Sequence, residues 1–252
     1  IWKDIPLLTY VRNSLVVSVC ATALCIVCAV PTGYAMARMK FPGKDIFMSV
    51  IIVTQMFSTV VLMVGIFKLM VLLKLNNSLI GIILLIAAFN QAFASWMLSG
   101  TFRSISFELE EAALIDGCNR LNAMVRVVLP LAAPGIVTAV IFVFISGWNE
   151  YTLTLILISD QMKKSLNTGI KSFFGYTNTE WHYVFASSML ATAPLLAFFQ
   201  VLEKHLMGGL TAGGNVGAGE ILFARLDMEK KLAEIDAFNA EKAKAALPPL
   251  EI

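Results

Sequence analysis

Long, uninterrupted apolar stretches dominate the chain, and short polar segments separate them. A helix needs about 20 apolar residues to cross the hydrocarbon core of a bilayer. The stretches are continuous rather than alternating, and a helix satisfies its own backbone hydrogen bonds in lipid, so the pattern favours helices over barrel strands. The fold class it predicts is an all-α polytopic transmembrane helix bundle. Five stretches are long enough to span a membrane: 14–37, 46–73, 79–98, 133–158 and 181–201.

Composition agrees with this pattern. Hydrophobic residues make up 58% of the chain and charged residues 14%, whereas an ordinary soluble domain carries about a quarter charged residues. Lys and Arg exceed Asp and Glu only by 19 to 17, so bulk charge identifies no partner. The apolar stretches make a lipid bilayer the expected environment and exclude a nucleic-acid binder. Because the chain begins with Ile1, we also expect a segment to precede it.

The longest polar connection, 100–134, predicts a helix-turn-helix outside the bilayer. Ser106 can cap a first helix whose opening turn is rich in glutamates, which are favourable near a helix N-terminus. Gly117 can take the left-handed conformation that ends a helix near residue 115. A second helix, about 119–129, is then bounded by Pro130 and Pro134.

The first of these helices has the pattern of a docking surface. Leu109, Ala112, Ala113 and Asp116 fall at positions i, i+3, i+4 and i+7, and the two alanines leave a flat patch that another backbone could approach. An ordinary capped loop helix would show the same spacing. Pattern alone leaves both interpretations open.

A longer motif within this connection resembles a known family. Glu111-Ala112-Ala113, three residues, Gly117, nine residues, Val127, one residue and Leu129-Pro130 resemble the EAA loop of bacterial ABC importer permeases, with Val in place of Ile. The resemblance implies that this loop couples the membrane bundle to an ATPase. The implied ATPase-coupling residues are Glu111, Ala112, Ala113, Asp116, Gly117, Val127, Leu129 and Pro130.

The resemblance covers approximately residues 6–217 and is to the maltose-transporter-type carbohydrate permeases, which have a type I ABC importer fold. The stretches that carry it are Asn13-Ser14-Leu15, Ala35-Met36-Ala37-Arg38, Phe41-Pro42-Gly43, Trp148-Asn149-Glu150 and Gly209-Leu210-Thr211-Ala212-Gly213. Such permeases have six spans and cytoplasmic termini, so five spans here imply that the first is absent.

This topology divides the chain into segments. Residues 1–12 are expected outside and 13–210 in the permease domain, in which 100–132 form the cytoplasmic coupling loop. The loop 158–181 is expected outside, where its aromatic and glycine residues either reach toward a solute-binding protein or form a membrane-interface belt.

Beyond the last span, 211–252 is predicted to be a Gly-rich hinge followed by a charged cytoplasmic tail. Leu232, Ile235 and Phe238 recur there at helical spacing among charges, which is typical of an amphipathic surface helix. Whether this tail is a lineage-specific extension, a docking element or an artefact stays open.

Polar residues inside the apolar stretches are candidates for a solute pathway, because such groups are costly in lipid and face water or a partner. A structural role in interhelical hydrogen bonding is an equally good explanation. The candidates are Trp148, Asn149, Glu150, Tyr151, Gln55, Asn90 and Gln91.

The expected function is therefore that of a transmembrane permease subunit of an ATP-driven carbohydrate importer in the bacterial inner membrane. The alternative is an autonomous secondary carrier or channel. By resemblance, the partners are a second homologous permease, two ATPase subunits that hold ATP and Mg, and an extracytoplasmic solute-binding protein. No catalytic or metal-ligating residue is predicted and no cofactor is expected in this chain, since neither a nucleophile with its base nor a ligand cluster is found.

Overall fold

The computed structural model describes residues 6–171, 173–174 and 181–200. Across these ranges the regular secondary structure is helical, which confirms the all-α prediction. The helices are α1 (Leu7–Arg38), α2 (Lys44–Thr54), α3 (Thr59–Leu72), α4 (Leu79–Ser104), α5 (Phe107–Ile115), α6 (Arg120–Ala123), a π-helical turn (Met124–Val128), α7 (Leu129–Trp148), α8 (Thr152–Leu157), a 3-10 turn (Gln161–Lys163), α9 (Leu166–Lys171) and α10 (Trp181–Gln200). The first five residues, the Gly-rich hinge and the charged tail predicted at 211–252 lie outside the described residues.

In the described part of the chain, four helices are long and apolar enough to span a membrane: α1, α4, the continuous helix Arg120–Trp148, and α10. The pair formed by α2 and α3 makes a fifth crossing if it is taken as one span. All five predicted stretches are thus represented. α1 begins at Leu7, seven residues before the predicted start of its span.

One predicted span is broken. The stretch 46–73 was expected as a single helix, but it bends by 96° between α2 and α3. The break contains two polar residues, Gln55 and Ser58, and the Gln55 amide donates a hydrogen bond to the Phe89 carbonyl of α4 at 3.2 Å. Tertiary contact with α4 therefore holds a corner that uniform apolarity does not predict.

The second helix of the predicted helix-turn-helix does not stop at the prolines. From Arg120 it runs through Pro130 and Pro134 to Trp148 as one 29-residue span. Pro130 comes two residues after the π turn Met124–Val128. The π turn just before it closes with a bond from the Leu129 N–H to the Met124 carbonyl, so the helix adjusts instead of ending.

At the end of α7 the structure has a break where the sequence predicted a continuous helix. The stretch 133–158 was expected to be continuous, yet α7 ends at Trp148 and the short α8 begins at Thr152. A Glu150 carboxylate oxygen accepts a hydrogen bond from the Leu153 N–H at 2.8 Å. Glu150 thereby satisfies a free N–H in the first turn of α8 and stabilises the new helix start.

The core centres on α1, which packs most extensively against α4 and next against α7. Small residues allow these helices to approach closely. A Cβ at Gly33 would lie 2.9 Å from the Leu98 Cβ, and one at Gly147 would lie 3.3 Å from the Ser18 Cα. These contacts join α1 to α4 and to α7.

Candidate functional site

The turn after α5 has the geometry that the sequence predicts. The Ser106 hydroxyl accepts a hydrogen bond from the Glu108 N–H at the start of α5. Gly117 adopts φ +87°, and the Cys118 N–H bonds to the Ala113 carbonyl at 3.0 Å while the Gly117 N–H bonds to the Leu114 carbonyl at 3.1 Å. This pair of bonds is a Schellman motif, the usual glycine-terminated helix end. It reverses the chain into α6, which the Asn119 side chain caps.

The two faces of α5 differ sharply. Glu111, Ala112 and Asp116 are exposed together with Ile115, which is 85% exposed. Glu110 and Ala113 form the buried face. The two alanines therefore do not share one flat exposed patch as predicted, because Ala113 packs inward. Among the remaining motif residues Pro130 is exposed and Val127 and Leu129 are partly buried.

A polar cluster joins the buried face of α5 to the end of α1. Glu110 is only 3% exposed. One of its carboxylate oxygens accepts a hydrogen bond from the Tyr34 hydroxyl, and the other lies 3.2 Å from the Arg38 Nε. These last two atoms form an ion pair without hydrogen-bond alignment. We call Tyr34, Arg38 and Glu110 the α1–α5 clamp.

Arg38 also holds the junction before α5. Its Nη2 donates to the Ile105 carbonyl at 2.8 Å, which lies between α4 and α5. The guanidinium stands 5.5 Å from the centre of the Phe107 ring, within the range of a cation–π interaction. Arg38, the last residue of α1, thus contacts three groups at α5: the Ile105 carbonyl, the Phe107 ring and the Glu110 carboxylate.

A cleft in the bundle brings together three predicted pathway residues. Its volume is about 280 Å³, and Gln55, Asn90 and Glu150 line it. They come from the α2–α3 break, from α4 and from the segment after α7. Hydroxyl groups, phenylalanine rings and two aliphatic side chains complete the lining: Thr54, Thr59, Ser146, Phe57, Phe89, Phe93, Phe142, Ile86 and Leu153.

The other four predicted pathway residues do not line this cleft. Gln91 follows Asn90 in the chain, but its side chain faces α1. In the amide orientation that satisfies both of its ends, its nitrogen donates to the Cys25 carbonyl at 3.0 Å and its oxygen accepts from the Ala29 N–H at 3.1 Å. Trp148 is buried against Phe144. Asn149 is exposed, and the Lys171 ammonium lies 5.4 Å from the centre of the Tyr151 ring.

The loop predicted to lie outside is bonded to α1 and to the α3–α4 connection. Asn13 donates to the Met162 and Lys164 carbonyls at 2.8 and 3.1 Å, and Ser14 accepts from the Leu166 N–H at 2.8 Å. Asn77, in the left-handed conformation at φ +56°, accepts from the Asp160 N–H through its side chain. Residues 160–166 are therefore fixed to the bundle. The interface-belt and binding-protein interpretations of 158–181 remain predictions.

Comparison with known proteins identifies this architecture. Residues 29–210 match the family model described as the inner membrane component of binding-protein-dependent transport systems. This chain belongs to that family. It is a membrane-spanning permease of a multi-subunit transport system, and the interpretation as an autonomous carrier or channel is set aside.

Two curated relatives match this permease over most of their length. The sulfoquinovosyl glycerol transport system permease SmoH of Agrobacterium fabrum is 35% identical over 216 residues, covering 86% of this chain and 76% of that protein. The diacetylchitobiose uptake system permease DasC of Streptomyces coelicolor is 35% identical over 209 residues, covering 83% and 76%.

A solved structure also matches the permease. A bacterial ABC transporter involved in the import of the acidic polysaccharide alginate contains a chain that aligns with a TM-score of 0.70 and 25% identity. The alignment covers 81% of this permease and 76% of that chain. The likeness confirms the ABC importer permease fold.

Sequence reasoning missed several residues that organise the permease. Glu110 counted only as one of several first-turn glutamates, although it is the one that α1 binds. Asn13-Ser14 and Arg38 entered only through resemblance, without a structural role. Asn77 gave a weak signal, since asparagine tolerates positive φ better than other non-glycine residues.

Proposed function

We propose that this permease is one of two homologous membrane subunits of an ATP-driven carbohydrate importer. It forms half of the solute pathway, and its exposed α5 surface docks one of two ATPase subunits on the cytoplasmic side. An extracytoplasmic solute-binding protein delivers the solute. ATP and Mg bind to the ATPase subunits, and this chain supplies the lever and part of the pathway.

The observation that carries the proposal is the exposed apolar face at the α5–α6 turn. Ile115 is 85% exposed on α5, which is too short to span a membrane, and Leu121 is 69% exposed in the first turn of the Arg120–Trp148 helix. Exposed Glu111 lies one helical turn before Ile115. An apolar surface rimmed by charge outside the spans favours a protein partner over lipid.

The second half of the motif supplies a rigid connection from this surface to the cleft. The helix from Arg120 to Trp148 is unbroken, and Ser146 in its last turn lines the cleft. Displacement of the α5–α6 turn by an ATPase is thereby transmitted along one helix to the solute pathway. This is the structural requirement for coupling ATP hydrolysis to alternating access.

A carbohydrate solute is favoured by the chemistry of the cleft. Sugars present hydroxyl groups around weakly apolar ring faces, and the cleft offers amide, hydroxyl and carboxylate oxygens beside phenylalanine rings. The names of the relatives point the same way, since one is a sulfoquinovosyl glycerol transport system permease and another a diacetylchitobiose uptake system permease.

Copurification and uptake test this proposal together. We expect Ile115→Glu and Glu111→Ala to reduce the amount of ATPase that copurifies with the full complex and to abolish ATP-dependent sugar uptake in proteoliposomes. Glu108→Gln is the matched control, because Glu108 is exposed on the same helix outside the motif. Normal ATPase yield and normal uptake in both test variants would overturn the docking assignment.

A further inference from the structure

We infer that the α1–α5 clamp is a positioning device that transmits movement of the docking helix to the core of the bundle. The inference rests on the proposed function and goes beyond it, because it assigns coupling to residues that do not touch the ATPase. The path runs from α5 through Glu110 to Tyr34 and Arg38 of α1. α1 in turn packs against α4 and α7, which border the cleft.

The clamp can transmit movement of α5 because its charged side chains are buried and Glu110 contacts two residues of α1. The side chains of Arg38 and Glu110 are 8% and 4% exposed, so both charges have lost most of their water. A buried carboxylate depends strongly on its partners, since removing one leaves the other uncompensated. Glu110 meets the Tyr34 hydroxyl through one oxygen and the Arg38 guanidinium through the other, so α5 cannot move alone without breaking these contacts.

Tyr34 connects the clamp to the apolar core. Its ring is buried and meets Phe102 of α4 edge-on, with ring centres 5.9 Å apart. The same residue therefore binds the carboxylate of α5 through its hydroxyl and packs against α4 through its ring. A shift of α5 therefore acts on both α1 and α4 through Tyr34.

The second route from the turn is the Arg120–Trp148 helix; α5 packs against its first turns, and this route does not pass through α1. α5 is joined to α6 through Gly117, where a Cβ would meet open space. Without the clamp, the docking helix could pivot at this turn while the spans stay still. The clamp therefore makes α5 part of the bundle, and its loss is expected to uncouple docking from movement at the cleft.

The inference is tested on the full complex of this permease with the ATPase and permease subunits that copurify with it. The four native cysteines at 20, 25, 28 and 118 are replaced with alanine, and Ser146→Cys places a thiol in the cleft. The readouts are the rate of ATP hydrolysis and the change in maleimide labelling of Ser146→Cys when ATP and vanadate are added. No knowledge of the solute is needed.

We expect Glu110→Gln to retain ATP hydrolysis while the ATP-dependent change in labelling falls by about fivefold or more, as for the loss of an allosteric coupling. Tyr34→Phe, which removes one hydroxyl and keeps the ring, should give a smaller loss of the same kind. Combining the two should add little to Glu110→Gln alone, because both act on one contact. Glu108→Gln serves as the exposed control.

A labelling change in Glu110→Gln equal to that in Glu108→Gln would overturn the clamp. So would loss of the assembled complex in Glu110→Gln together with normal labelling in Tyr34→Phe, since Glu110 would then act only in folding. If the parent complex itself shows no labelling change with ATP and vanadate, the proposed function fails. That outcome differs from one in which only the clamp variants behave normally.

Discussion

Gly117 carries a requirement that is purely conformational. Its φ is +87° and a Cβ there would meet no atom within 4 Å, so crowding plays no part in its selection. A left-handed backbone costs a non-glycine residue about 1–2 kcal/mol, and asparagine tolerates it best. The turn between α5 and α6 therefore depends on this single residue.

We predict that Gly117→Val impairs ATP-dependent uptake strongly, because valine resists the left-handed conformation and would reorient α6 against α5. Gly117→Asn should retain most of the activity at nearly the same side-chain bulk. The measurement is sugar uptake per assembled complex in proteoliposomes. Equal activity in the two variants would show that the turn geometry does not matter for coupling.

Glu150 has two separable functions in the structure. One carboxylate oxygen caps α8 through the Leu153 N–H, and the residue also lines the cleft. We predict that Glu150→Gln keeps the cap and the melting temperature but weakens uptake about tenfold, as for loss of a charge-assisted hydrogen bond. Glu150→Ala should lose the cap as well and destabilise the fold by about 1 kcal/mol.

Melting of the purified complex and uptake measured on the same preparation separate these functions. Uptake unaffected by Glu150→Gln would assign the residue to the cap alone. That result would leave the packing interpretation of Glu150 as the correct one.

Residue identity predicted the α5–α6 turn but not the partners of individual side chains. Ser106 and Gly117 act through their own backbone conformation and near neighbours, so sequence spacing is sufficient. Glu110 and Glu111 are adjacent and chemically equal, and only the packing of α1 against α5 decides which one is buried. The same holds for Asn90, which faces the cleft, and Gln91, which faces α1.

At the scale of elements, small residues set the distances between helices. A Cβ at Gly33 would lie 2.9 Å from the Leu98 Cβ and 3.1 Å from the Ser99 backbone nitrogen. The backbones of α1 and α4 are thus in close contact, and even a methyl group must push them apart.

We predict that Gly33→Ala lowers the free energy of unfolding by about 1–3 kcal/mol, the usual cost of overpacking. Gly100→Ala in α4 is the control, because a Cβ there meets nothing within 4 Å and alanine favours a helix by up to about 1 kcal/mol. Thermal melts in one detergent compare them. Equal melting temperatures would contradict the close α1–α4 packing.

Helix existence was predictable, and the start of α4, α10 and the end of α5 lie where the sequence placed them, but breaks and continuations within the apolar stretches were not predictable. Apolar length located each span within the described residues, since crossing a bilayer requires about 20 apolar residues. The corner between α2 and α3 contains neither proline nor glycine and is held by Gln55 against α4, which no local pattern reveals. Pro130 and Pro134 were expected to end a helix, yet the helix from Arg120 runs through both to Trp148.

At the scale of the whole permease, α1 connects two polar clusters. Asn13 and Ser14 near its start bind residues 162–166, and Arg38 at its end binds α5. At 1.5 Å per residue these points are about 36 Å apart. One helix therefore links the predicted outer loop to α5, which gives the two ends of the bundle a common element.

The central claim is that the exposed face of α5 docks an ATPase. A photo-crosslinking amino acid at Ile115, in cells that express the full complex, tests it directly. We predict a crosslink to a protein whose sequence contains a phosphate-binding GxxxxGK[ST] loop. We predict no crosslink to that protein when the same amino acid replaces Val27, which is exposed on the apolar span α1. Adducts at Ile115 that contain lipid or other proteins but no such ATPase would contradict the account.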